Sequence, residues 1–420
     1  MRDSDASVIR FLVRLAAFLL LLLFGMAMLL LAALEPTPRV SRGETISPSS
    51  IAQARRLLAS NDPRRLQRGD ERTADLPAAL IDDGINHLAS RRLHGRGAFV
   101  LAEESAEIRL SLRVPGIPGP HYLNLSAVFR ESSGEPRVAS ASLGSLPVPV
   151  ALAELLMASA VSLAGFGQEW ELARQSIRGL VFDAARGMVG VSYVWAPEIL
   201  DRARSLAFTA DDLSHVEAAQ RAFAGLVDHY APRARVPLPE ILGPLLARSG
   251  ETSPQARRSA LLVLAIYLSG QDLATVLPES RQWPRPRSVK LMLSGRGDSA
   301  QHFAISAALA AWAGEPAANA IGVYKEIEDS RHGSGFSFAD LAADRAGTRF
   351  GKLVADGSPR LEDLLRRTPT DADLVPPLGG LPEYLSQAEF TRRYGGRGNP
   401  AYRQLMADIE SRLAALPLYR

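Results

Sequence analysis

The sequence predicts an α+β protein: an N-terminal transmembrane helix, then an antiparallel-sheet domain with helices against it, then a mostly α-helical domain. Three patterns predict this. Leu15 to Leu34 is a run of twenty residues without a charge. Between Ile108 and Leu143 apolar and polar residues alternate, the period of a strand with one buried face. Beyond about residue 206 the apolar residues recur three and four apart, the period of a helix packed on one side.

As a helix, the first run spans about 30 Å, the thickness of a hydrocarbon core. Arg2, Arg10 and Arg14 precede it, and Arg39 and Arg42 follow. That balance favours a cytoplasmic N-terminus, with everything after Glu35 exported. A cleaved signal peptide is the rival reading. It would need an unusually long apolar region, and Ala32, Ala33 and Leu34 form no small-x-small cleavage site. The 420 residues include no cysteine, which excludes a lipid-attachment cysteine, a disulfide framework and thiolate metal sites. The expected location is the bacterial inner membrane, single-pass, with the C-terminal domains periplasmic. Net charge is +3, and of 48 basic residues only Lys290, Lys325 and Lys352 are lysines. The arginines are spread along the chain rather than massed, so nucleic acid is not an expected partner. The expected partners are the inner membrane, through residues 15–34, and an envelope lipid, glycan or protein.

Four segments follow: the cytoplasmic tail and anchor, 1–34; a tether and amphipathic helix, 35–74; an α+β sheet domain, 75–205; and a helical domain, 206–420. In the second, Ile51, Leu57 and Leu58 share one side of an Arg-rich helix from about Ser49 to Leu66 that suits a bilayer surface or the domain. A helix is expected from Leu76 to Leu93. In "AEIRLSLRVP" and "YLNLSAVFRE" the alternation gives two strands, and "ESSGEP" turns into a third, Arg137 to Leu143. "SLPVPV" should then stop pairing, because Pro147 and Pro149 have no amide to donate. An apolar helix follows, Ala151 to Phe166. Ile177 to Phe182 and Met188 to Trp195 flank "DAARG" as a hairpin. In the helical domain Leu213, Val216, Ala219, Phe223 and Leu226 form a stripe. Ser259 to Gly270 is uncharged but too short to span a bilayer, so it reads as a buried core helix. "ESRQWPRPRS" is a loop, and the last helix opens with Asn399 as cap and Pro400 in its first turn.

Residues Arg109 to Leu156 resemble the YpmS-like family of membrane-anchored extracytoplasmic proteins, in an anchor ahead of strands, a "YLN-S" strand and a "G-LP-P" exit. The resemblance implies architecture more than activity. "GDSAQHFAISAALAAWAG", from Gly297, followed by "KEIEDSRHGSGFSFADLAADRAG", resembles the YfiM type of periplasmic lipoprotein and, more faintly, VanZ-like membrane proteins. The matching positions here are Asp298, His302, Phe303, Lys325, Glu326, Asp329, Gly333, Gly335, Phe336, Ser337, Asp340, Asp344 and Gly347. Those relatives carry the motif on lipid-anchored or membrane-embedded segments, whereas this chain lacks the lipid-attachment cysteine. An envelope role is what the resemblance implies; no reaction comes with it.

The same stretch has a direct physical reading. Ser337-Phe338-Ala339-Asp340 fits a capping box, with Ser337 accepting from the Asp340 amide and the Asp340 carboxylate reaching back. Phe336 and Phe338 plug into the core, and Ala343, Gly347 and Gly351 recur every four residues as a face for a closely approaching helix. Asp340 and Asp344 are like charges one turn apart, and Glu326 and Asp329 form a second acidic pair, with His332 in the loop between and His302 one hairpin earlier. Lys325, Arg331, Arg345 and Arg349 are the expected counter-charges. The alternative counter-charge is a divalent cation with carboxylate and imidazole ligands. "GDS" with His302 on one helical turn lacks the distant third partner of a triad, "GSG" around Ser334 lacks the nucleophile elbow, and no phosphate loop or dinucleotide fingerprint is present. The leading expectation is a non-enzymatic envelope protein without cofactor. Its alternative is a metal-dependent hydrolase using His302, Glu326, Asp329, Asp340 and Asp344. Asp298, Lys325 and Ser337 complete the candidate cluster.

Overall fold

The computed structural model describes residues 25, 28, 31–60, 66–131, 137–163, 167–198, 208–247, 253–332, 335–396 and 398–420. These form two compact units, Met1–Thr45 with Gln53–Arg202 and Ile46–Ala52 with Ala203–Arg420. Most of the expected transmembrane run lies outside the described residues; its end is not helical as expected, because Ala33 is buried in a turn and Leu34 pairs in a sheet with Leu123. Among the described residues, no helix is long and apolar enough to cross a membrane.

The first unit contains strand β1 (Leu34–Glu35) and most of helix α1 (Pro48–Ser60), followed by β2 (Glu71–Pro77) and α2 (Ala78–Leu93). A meander follows: β3 (Gly95–Ala102), β4 (Ser105–Arg113), β5 (Tyr122–Arg130), β6 (Arg137–Leu143) and β7 (Leu146–Val148). Helices α3 (Val150–Leu163) and α4 (Gly167–Ser176) lead to the hairpin β8 (Ile177–Asp183) and β9 (Met188–Val194). Strands β3 to β7 pair in sequence order, all antiparallel. β6 pairs with β5 as far as Leu125, and β1 takes over that lane at Leu123 and Tyr122. A second antiparallel sheet has the order β2-β9-β8. Ala106, Phe182 and Val189, one residue from the large sheet and two from the small, form the buried centre of the core.

Three expectations change here. The helix expected from Leu76 starts at Ala78, because Glu71–Pro77 is a mostly exposed strand along β9, with no apolar face to reveal it. Gly95–Ala102 is a further strand, outside the expected set. "SLPVPV" does pair: Pro147 sits opposite Ser142 in β7, the last strand of the sheet, where a missing amide costs least. The start of the expected tether is also fastened. Buried Asn124 accepts from the Arg39 amide at 3.1 Å and donates to the Thr37 carbonyl at 3.0 Å, and the Val40 amide donates to Ser111 Oγ at 2.9 Å.

The second unit contains α5 (Ala210–Val227), β10 (Arg235–Pro237), α6 (Leu238–Ala247), α7 (Pro254–Leu268), β11 (Lys290–Met292), α8 (Gly297–Ala313), α9 (Glu315–His332) and α10 (Phe338–Ala355). It closes with α11 (Pro359–Leu365), α12 (Asp371–Leu374), α13 (Gln387–Tyr394) and α14 (Pro400–Ala415). The uncharged run is α7, whose Ala260, Leu261 and Leu264 are fully buried. Asn399 caps α14, accepting from the Ala401 amide, with Pro400 in the first turn. The shared core is rich in Phe223, Phe303, Phe350, Leu246 and Leu413. Helices α8 and α10 set its geometry. A Cβ on Gly347 would lie 2.1 Å from the Phe303 carbonyl oxygen, and one on Gly351 would lie 2.1 Å from that of Ala307. Only glycine permits this separation of the two helices.

Candidate functional site

Backbone contact at Gly347 and Phe303 fixes what lies beside it. His302 precedes Phe303 on α8, and Asp344 stands three residues before Gly347 on α10, so the two side chains face each other. His302 Nδ1 lies 3.1 Å from Asp344 Oδ1, which also accepts from Ser306 Oγ at 2.7 Å. Helix α9 closes the third side. A Cβ on Gly322 would come within 2.9 Å of Asp344 Oδ2, so this glycine makes room for the carboxylate. One turn further along α9, Lys325 Nζ is 3.1 Å from His302 Nε2 and donates to Asp329 Oδ2 at 2.9 Å. Glu326, on the same turn, accepts from the Ser337 amide at 2.9 Å.

That last bond corrects the expected capping box. Ser337 does accept from the Asp340 amide, at 3.1 Å, but the carboxylate that receives Ser337's own amide is Glu326 from the neighbouring helix. Asp340 turns toward α8 instead, with Oδ2 at 3.7 Å from His302 Nε2 and Oδ1 at 3.6 Å from Arg296 Nη2. Phe336 and Phe338 are fully buried, as a core role requires, against Phe390, Tyr394 and Tyr402.

Of the expected counter-charges, Lys325 does stand at the cluster. Arg345 and Arg349 both turn to Glu410 on α14, and Arg331's side chain lies outside the described residues, with Gly333 and Ser334. The positive charge comes from Lys325, His302 and Arg296. Arg296 holds Asp298 through two bonds, at 2.8 and 3.1 Å, and also pairs with Glu383. The expected cluster is therefore divided. His302, Glu326, Asp340 and Asp344 meet in the interior, each no more than 9 % exposed. Asp298 with Arg296, and Asp329 with Lys325, are ion pairs further out. Ser299, beside Asp298, has a buried hydroxyl, while the ring of His302 is directed to Asp344 and Lys325.

Sequence reading missed Arg296, Ser306 and Gly322. Ser306 had a signal, since it stands one helical turn from His302 and so on the same face. Arg296 had one as well, two residues ahead of the acid it holds. Gly322 had none, because its role depends on a side chain from another helix.

Burial pushes Glu326 up to about 8, opposed by the Ser337 amide and reinforced by the Asp344 charge. Burial would lower His302, but Asp344 outweighs it and lifts the imidazole to about 9. Burial also raises Asp340, against the pull of His302, while the Arg296 guanidinium holds Asp298 below the usual carboxylate range. Near neutral pH Glu326 therefore holds its proton, and the Lys325 ammonium, 3.1 Å from His302 Nε2, opposes the charge that Asp344 favours on the imidazole. Glu326 Oε1, Asp340 Oδ1 and Asp344 Oδ2 are buried without a hydrogen-bond partner among the described residues. His302, Glu326 and Asp344 each offer a ligand atom, and these atoms lie within 4.8 Å of one another. Such a set of one imidazole and two carboxylates has the donor chemistry for zinc or manganese. Elsewhere in the unit, an open cleft of about 570 Å³ is lined by Arg235, Tyr267, Gln271, Lys290, Met292 and Gly297 among others.

No family model matches the chain, and neither a curated protein nor a solved structure does.

Proposed function

We propose that this chain is a single-pass protein of the bacterial inner membrane. The uncharged run of residues 15–34 supplies the anchor as far as Ala32, with Ala33 and Leu34 already part of the sheet unit; the C-terminal units are periplasmic, and the helical unit is a non-enzymatic binding module for an envelope lipid, glycan or protein. The uncharged run and the absence of cysteine support the compartment, as does the likeness to YpmS-like and YfiM-type envelope proteins. One observation carries the non-enzymatic reading. His302, the only imidazole of the central cluster among the described residues, has Asp344 at one ring nitrogen and Lys325 at the other, and it lies 6 % exposed between three helices. A general base needs a free nitrogen within reach of a substrate proton. The cluster acts instead as an ionic fastener that holds α8, α9 and α10 in one arrangement. The cleft lined by Arg235 and Lys290 is the recognition surface best suited to polar or anionic ligand groups. A reporter fused after Arg420 should be active only outside the cytoplasm; activity in the cytoplasm would refute the topology.

A second reading, a metal-dependent envelope hydrolase, is favoured by the two orphan oxygens of Glu326 and Asp344 and their closeness to His302. Metal analysis of the purified full chain separates the two. Stoichiometric zinc or manganese, lost in Asp344→Ala with the fold intact, supports the hydrolase. If Asp340→Ala and Asp344→Ala lower the melting temperature of a metal-free protein, the fastener stands.

A further inference from the structure

We propose that helix α3 of the sheet unit lies on the bilayer surface, with Leu152, Leu155 and Leu156 inserted among the lipids. Their residues are 45 %, 63 % and 55 % exposed. They stand at i, i+3 and i+4, so they share one face, and Ser159 at i+7 continues it with no charge. The opposite face, through Ala153, Met157 and Val161, is partly buried. Glu154 is the single charge in the 14 residues, and helical geometry puts it about 160° away from the leucine face. At about 21 Å the helix is too short to span a hydrocarbon core, so its apolar face can meet lipid only by lying in the interface.

The path of the chain identifies lipid as the occupant. The uncharged run ends on this unit, where Leu34 pairs with Leu123 and the Ala33 carbonyl packs against Gly144. Gly144 makes the turn between β6 and β7 with φ +56°, and a Cβ there would sit 2.2 Å from the Ala33 oxygen. Its amide donates to the Asn124 carbonyl at 2.6 Å, and its own carbonyl accepts from Arg39 at 3.0 Å. The exit from the anchor and the β6–β7 turn are thus one fixed corner. Helix α3 begins at Val150, six residues beyond Gly144, a reach of at most about 20 Å. An exposed leucine face so close to the point where a membrane anchor leaves the bilayer meets lipid at high effective concentration, and needs little intrinsic affinity. A second copy of the chain would have to reach the same face by diffusion.

This inference rests on the anchor proposed above, and the test reads the two separately. The chain has no cysteine, so Leu155→Cys and Glu154→Cys each give a unique labelling site in the full-length protein. Both are reconstituted in vesicles of zwitterionic lipid, because α3 carries no basic residue that would require anionic lipid. The Leu155→Cys label should lose most of its emission to a nitroxide carried near the lipid headgroup and resist aqueous iodide. The Glu154→Cys label should show the reverse. Iodide quenching at both positions, or self-quenching at position 155 that grows with protein density, overturns the lipid face; the second result would identify a copy of the chain as its occupant. Alkaline extraction of the same vesicles reads the anchor. Release of the chain overturns the anchor and the lipid face together, whereas retention with an iodide-accessible Leu155→Cys label overturns the lipid face alone.

Discussion

Asn124 in the sheet unit and Glu326 in the helical unit are equally buried, each about 1 % exposed, but they are satisfied to different degrees. Asn124 uses its whole amide. Its oxygen accepts from the Arg39 amide and from Ser111 Oγ, and its nitrogen donates to the Thr37 carbonyl and to Glu35. Glu326 has one oxygen on the Ser337 amide and the other on nothing described. A fully paired neutral amide fixes the path of the chain at little cost, whereas a half-paired acid stays buried only by holding a proton or meeting a cation. The sheet unit, with its small core, is stapled at Asn124 by a complete polar network. The helical unit has apolar contacts in abundance and can carry an incomplete network at its centre.

The comparison can be broken most forcefully in the helix pair that frames the acids. Gly347→Val should destabilise the helical unit by about 3 kcal/mol or more, because the new side chain meets the Phe303 backbone rather than a movable group. Gly379→Ala, with open space around it, is the control and should leave the denaturation midpoint nearly unchanged. Asp344→Ala should cost about 3 kcal/mol in the same denaturation assay, since it leaves buried His302 Nδ1 and Ser306 Oγ without their shared acceptor. Asn124→Ala should cost about 2 kcal/mol and loosen residues 35–40, seen as faster amide exchange at Arg39. An Asn124→Ala variant as stable as wild type would remove the sheet unit's side of the contrast.

The smallest effect is at the rim of the cluster. Arg296 lowers Asp298, so their pairing contributes stability above the usual carboxylate range and loses it as pH falls through the depressed value. Asp298→Asn should therefore flatten the acid limb of stability against pH, by less than about 1 kcal/mol because the carboxylate is 41 % exposed. An unchanged acid limb would show that this outer pair is not coupled to folding.

The legible parts of the molecule were those whose pattern is local. Ser105–Arg113 and Tyr122–Arg130 alternate along their own length, and Gly347 and Gly351 mark a close-packed face by spacing alone. Glu71–Pro77 was hidden because most of it is exposed, so no apolar face alternates. The candidate site was legible as a set of residues and less so as a set of pairs. Glu326 closes the Ser337 amide across a helix boundary, Arg349 finds Glu410 sixty-one positions away, and Asp344 is admitted by a glycine on another helix. Such choices depend on which helices touch, and no spacing within one helix encodes them.

Whether the buried acids fasten α8, α9 and α10 without an ion is decided by the melting temperature of Glu326→Gln at pH 7, with and without chelator. Burial already keeps Glu326 protonated in the folded state while the unfolded chain is ionised there, so its native pKa of about 8 makes stability fall as pH climbs above about 4.5. Glutamine keeps an acceptor for the Ser337 amide and cannot ionise, so the variant should melt at the wild-type temperature or above it, and chelator should change neither protein. A fall as deep as that of Asp344→Ala, with wild type itself destabilised by chelator, would contradict the account and leave a metal as the fastener.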